Sequence, residues 1–157
     1  MVTMNVEDQE VVINKCYGGF GLSHAAVMKY AEFKGIELYG YVNPRSKNGS
    51  LNFDKYELYE PEKHKENSFC IHYRTKALEM GGLTKEAVKK GINENYFHVY
   101  DIARNDPDLV KAVRELGEDA NGNHADLNIL QIPAGVEWII EEYDGIEWIA
   151  EKHRTWE

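Results

Sequence analysis

The stretch LNILQIPAGVEWIIEEYDGIEWIAEKH, Leu127 to His153, decides the fold, because it holds three apolar-rich runs cut by two turn signals. Leu127 to Ile132, Val136 to Tyr143 and Ile146 to His153 carry the β-branched and aromatic side chains that suit a pleated, half-buried surface. Pro133-Ala134-Gly135 and Asp144-Gly145 separate them, and Asp-Gly between such runs is a strong hairpin signal. The expectation is an antiparallel meander of three strands, with Trp138, Ile140, Trp148 and Ala150 among the residues alternating between its faces. A helix over 146 to 153 is the competing reading.

Upstream, Asp106-Pro107 opens the clearest helix, since Asp is a preferred cap and Pro fits the first helical position. Leu109, Val110, Val113 and Leu116 give it one apolar face, and it frays near Asn121-Gly122. At the other end, Val11-Val12-Ile13 reads as a strand that runs into Tyr17-Gly18-Gly19-Phe20-Gly21, where the glycines stop it. Ser23 then caps a helix over 24 to 34, with Ala26, Val27, Tyr30 and Ala31 at helical spacing and Gly35 as its stop. Short strands are expected over Ile36 to Val42, Phe69 to Tyr73 and Tyr96 to Ile102, and a short helix from Thr84 to Lys90. Residues 44 to 67, rich in Lys, Glu, Asn and Ser, read as a loop excursion anchored by Leu51, Phe53, Tyr56, Leu58 and Tyr59. The fold class is therefore α+β: a mixed or antiparallel sheet with a C-terminal three-stranded meander and two or three helices, in a single domain over 1–157.

Composition narrows the function. At 157 residues and 43% hydrophobic content the chain has material for one core. No run approaches the roughly 18 apolar residues of a membrane span, and the acidic start at Glu7, Asp8 and Glu10 is unlike a leader, so no membrane partner is expected. A net charge of -9 argues against duplex nucleic acid. Cys16 and Cys70 are too few for a disulfide framework and read as buried thiols in a reducing, cytoplasmic compartment.

Two constellations carry chemistry. The loop Tyr17-Gly18-Gly19-Phe20, ending at the helix cap Ser23, offers backbone amides to an anion, although no Lys followed by Ser or Thr makes it a P-loop. A tight turn that packs Phe20 and Leu22 against the core is the structural alternative. The C-terminal His153, Arg154 and Trp156 combine an imidazole, a guanidinium and an indole fit for phosphate and base, and equally fit for a solvated tail. Arg104, where a strand hands over to a helix, is a third candidate contact, unless it pairs with Asp106 or Asp108. The histidines lack metal spacing and no nucleophile elbow occurs, so no metal, no cofactor and no catalytic residue is expected.

The segments INKCYGGFGLS (Ile13 to Ser23), Arg104 to Leu109, and EYDG (Glu142 to Gly145) through AEKHRTW (Ala150 to Trp156) resemble a widespread family of small phage-encoded proteins. The resemblance covers about half of the chain and leaves 44 to 95 unmatched. It implies an anti-CBASS type sponge, which binds a cyclic nucleotide immune signal in the host cell cytoplasm without cleaving it. Its partner would be a cyclic nucleotide or related small nucleotide signal. A near-symmetric ligand further suggests a homo-oligomer with matched half-sites. A phage nucleotide-processing enzyme using Glu151 or His153 as general base, and an acidic protein that blocks a host protein, are the alternatives.

Overall fold

In a computed structural model, residues 8–45, 48–52, 55–64, 71–78 and 94–152 are described. The expected helix from Thr84 to Lys90 lies outside them, as do Cys70, His153, Arg154 and Trp156. In chain order the elements are β1 (Gln9–Asn14), α1 (His24–Lys34), β2 (Tyr39–Val42), β3 (Glu57–Leu58), β4 (His72–Arg74), a 3-10 turn (Val99–Asp101), α2 (Pro107–Leu116), a second 3-10 turn (Gly117–Ala120), β5 (Leu127–Ile132), β6 (Trp138–Tyr143) and β7 (Ile146–Glu151). The class is α+β, with antiparallel strand pairing throughout these elements. No helix among the described residues is long and apolar enough to cross a membrane.

The chain divides into two compact units, one of Met1–Tyr30 with Ile102–Glu157 and one of Ala31–Asp101. In the first unit β1 pairs with β5 over six residues, from Gln9 opposite Ile132 to Asn14 opposite Leu127. Val11, Val12, Ile13 and Asn14 are all fully buried, so β1 is covered on both faces. Trp138, Ile140 and Ile149 of the β6–β7 hairpin pack against Val11, Ile13 and Ile132, while α2 packs against β1 and β5 and buries Leu109, Val110, Ala112 and Val113.

The expected three-stranded meander is thus a two-stranded hairpin, because β5 finds its partner in β1. Pro133, which has no N–H to continue a ladder, ends β5 before the turn that leads to β6. The hairpin turn itself follows its sequence: Asp144 and Gly145 both take positive φ, 50° and 91°, as the two-residue turn matched to strand twist requires. Asp106 caps α2 by accepting from the Asp108 amide at 2.9 Å and accepts from the Tyr30 hydroxyl at 3.1 Å. Ser23 caps α1, its hydroxyl accepting from the Ala26 amide at 3.1 Å.

In the second unit a three-stranded sheet runs in the order β3, β2, β4. β2 begins at Tyr39, three residues later than expected; of the strand expected over Phe69 to Tyr73, Phe69 and Cys70 lie outside the described residues and β4 spans His72–Arg74. The strand expected over Tyr96 to Ile102 does not form. Tyr96 makes one bridge to Arg74 and the Phe97 amide donates to the Tyr73 carbonyl, after which the chain coils into the 3-10 turn. Within 44 to 67, expected as a loop, Glu57–Leu58 form β3. That segment is tied by the buried His64, whose Nδ1 accepts from the Glu60 amide at 3.0 Å while Nε2 donates to Glu57 Oε2 at 2.9 Å. This contact, ahead of that with Lys63, holds the Glu57 carboxyl below the usual carboxylate range.

Candidate functional site

The glycine loop, the Asp144-Gly145 turn and Arg104 are linked in the first unit through Asn14, the last residue of β1, and Glu147. The Asn14 side chain has four groups to satisfy and no exposure to water, so each must find a protein partner. Nδ2 donates to the carbonyls of Cys16 at 2.7 Å and Gly145 at 2.8 Å, and Oδ1 accepts from the Asp126 amide at 2.8 Å. Its backbone N–H donates to Glu147 Oε1 at 2.9 Å. One asparagine therefore joins the glycine loop, the β6–β7 turn and the entry to β5. The Cys16 Sγ, half-buried rather than buried as expected, lies 3.0 Å from the His124 carbonyl oxygen.

Glu147 extends this network to Arg104. The carboxylate takes both ends of the guanidinium fork, at 2.8 and 3.0 Å, and Arg104 Nη1 also donates to the Val12 carbonyl at 3.2 Å. The guanidinium carbon sits 3.3 Å from the centre of the Phe20 ring, a cation–π contact. Arg104 is thus bound to Glu147, not to Asp106 or Asp108, and Phe20 forms the wall beneath it. Sequence reasoning passed over Asn14 and Glu147. The available signal was a polar residue closing an otherwise apolar run in the first case and an acid at an inward-facing strand position in the second.

The glycine loop is shaped by close backbone approach. A Cβ on Gly18 would overlap the His124 carbonyl, one on Gly122 would crowd the Gly21 backbone, and one on Gly145 would strike the Tyr17 carbonyl and the Gly19 amide nitrogen. Three separate chain segments are packed here with no side chain between them. Gly19 has open space around it but a φ of 93°, which L side chains rarely adopt. Ser23 Oγ both accepts from Ala26 and donates to the Asp119 carbonyl at 2.6 Å.

Among the described residues of the expected site, Tyr17 is the side chain that stands exposed, at 67%, and Tyr143, next to the turn that packs on it, is 71% exposed. The outer face of the hairpin also exposes Ile139 and Trp148, whose indole N–H donates to Glu141 Oε2 at 2.8 Å. Among the described residues no three His, Cys, Asp or Glu side chains converge as metal ligands would. Comparison with protein-family models, with curated proteins and with solved structures finds no match.

Proposed function

We propose that the chain binds a cyclic nucleotide, or a related small nucleotide signal, and sequesters it uncleaved, acting as a phage-encoded sponge in the host cytoplasm. The observation that supports this reading is the pair of exposed phenol rings, Tyr17 and Tyr143, carried on a base of glycine-to-backbone contacts and the Asn14 network. Flat rings on a rigid base lose little freedom when a nucleobase stacks on them, and stacking is worth about 1–3 kcal/mol per base. The cations for phosphate would come from Arg154 and His153 of the C-terminal segment, since Arg104 is engaged by Glu147. Native mass spectrometry after incubation with cyclic dinucleotides tests the idea. The parent should retain a ligand of unchanged mass, and Tyr17→Ala should weaken retention about tenfold; no retention, or full retention by Tyr17→Ala, removes the proposal, and a cleaved product points to an enzyme.

A second reading, an acidic protein that blocks a host protein, is favoured by the outer hairpin face with Ile139, Tyr143 and Trp148 exposed. The same face is the seat we propose for a second copy in a homo-oligomer. Trp148→Glu should shift the sedimentation coefficient to that of a monomer if copies meet there, and should leave it unchanged if they do not.

A further inference from the structure

We propose that the second unit carries a separate site for a small oxyanion, the phosphate of a free ion or of a phosphate ester, at the guanidinium of Arg74. This goes beyond the reading above and does not depend on it. Arg74, the last residue of β4, is 4% exposed. Its Nε donates to the Glu94 carbonyl at 2.9 Å, and its Nη1 is buried with no hydrogen-bond partner. Arginine keeps its charge in any protein environment and presents a planar fork of donors. A buried charge of this kind is ordinarily matched by an opposite one.

Two other described arginines are matched by acids, Arg104 by Glu147 and Arg114 by Glu10, and Arg45 donates to the Gly49 carbonyl, whereas Arg74, more deeply placed than Arg104 or Arg114, has a neutral carbonyl on Nε and an unused Nη1. The surroundings suit an anion that arrives from outside. Pleating puts His72 on the same face as Arg74, and the bridge of Arg74 to Tyr96 puts Tyr96 there too. His72 and Tyr96 rings lie 6.2 Å apart, Tyr96 and His98 4.6 Å, and Tyr56 and His72 5.5 Å, a connected series of rings able to donate to an oxyanion or to lie against a base. Burial pushes the His72 imidazole below its ordinary value, so near neutral pH it adds a donor without adding a second buried cation.

Inorganic phosphate and AMP are the two probes, each compared with sodium chloride at equal ionic strength. Both should raise the thermal midpoint of the parent in a concentration-dependent way; at one hundred times Kd, a ligand confined to the folded state raises the folding constant about a hundredfold. The response should vanish in Arg74→Met, which loses the fork, and weaken in Arg74→Lys, which keeps the charge and so carries the comparison if the Met variant does not fold. AMP binding more tightly than phosphate assigns the rings a share of the site; equal binding assigns the site to the oxyanion alone. The proposal is overturned if neither probe shifts the parent beyond chloride, or if the shift persists undiminished without Arg74.

Discussion

Glu147 grips Arg104 through both carboxylate oxygens, from an inward-facing position on β7 to the turn that precedes α2. The pair is nearly dry on the glutamate side, with 9% of that side chain exposed, and wetter on the arginine side, at 21%. Removing one partner from a buried pair leaves the other uncompensated, which costs about 3–5 kcal/mol, and the exposure of Arg104 places this case toward the lower end. Glu147→Gln and Arg104→Ala should each lower the urea midpoint, with the double variant Arg104→Ala/Glu147→Gln losing less than the sum of the two. A double variant that equals the sum of the two losses would show that the residues do not interact.

The glycines of the same region should sort by what surrounds them. Gly35 needs only its φ of 76° and has open space, so Gly35→Ala should cost about 1 kcal/mol. Gly145 combines a φ of 91° with contact against the Tyr17 carbonyl, so Gly145→Ala should cost clearly more, by the further 1–3 kcal/mol or so typical of overpacking. Equilibrium unfolding of the two variants side by side checks the order, and equal losses would mean that the turn and the loop separate freely.

Helix capping gives a third expectation. Asp106 satisfies the Asp108 amide and the Tyr30 hydroxyl at once, so Asp106→Ala should lose about 1–2 kcal/mol, and Asp106→Asn, which keeps an acceptor oxygen, much less. Thermal unfolding of the two variants discriminates a capping role from a purely electrostatic one, for which Asn would be as damaging as Ala.

Acid should destabilise the protein through histidine. Burial lowers the affinity of His24 and His72 for a proton, so the unfolded chain binds protons at these sites at higher pH than the folded chain does. Stability from this source is fully present above the unfolded value near 6.5 and is lost as pH falls through the lower folded values. The melting temperature should decline below about pH 6.5, and His72→Gln should flatten part of that decline. An unchanged slope in His72→Gln would assign the pH response to other groups.

What could be read from the sequence was what is decided locally. Asp106 with Pro107, Ser23 with its following helix, Gly35 and the Asp144-Gly145 turn each specify a backbone conformation within a few residues, and each was found where expected. Pairing across the chain was not legible. Nothing in Leu127 to Ile132 says that its partner is Gln9–Asn14 rather than the strand that follows, and its mix of apolar and polar residues serves either neighbour. The same limit hid the site. Arg104 was expected as a ligand contact, with the adjacent Asp106 or Asp108 as its alternative partners, whereas the acid it holds is 43 positions away. Glycine spacing marked the loop but not the close approach of the His124 and Gly145 backbones to it, a fact that resides in segments far downstream.

The pairing of β1 with β5 also sets a schedule for synthesis. Gln9 and its partner Ile132 are separated by nearly the whole chain, and the second unit lies entirely between them. At ribosomal rates of about 5–20 residues per second, Val11-Val12-Ile13 waits on the order of ten seconds for the strand that completes its ladder. During that interval the apolar middle of β1 lacks its ladder partner, which makes the nascent first unit a natural client of a chaperone, while the second unit, contiguous in sequence, is free to fold first.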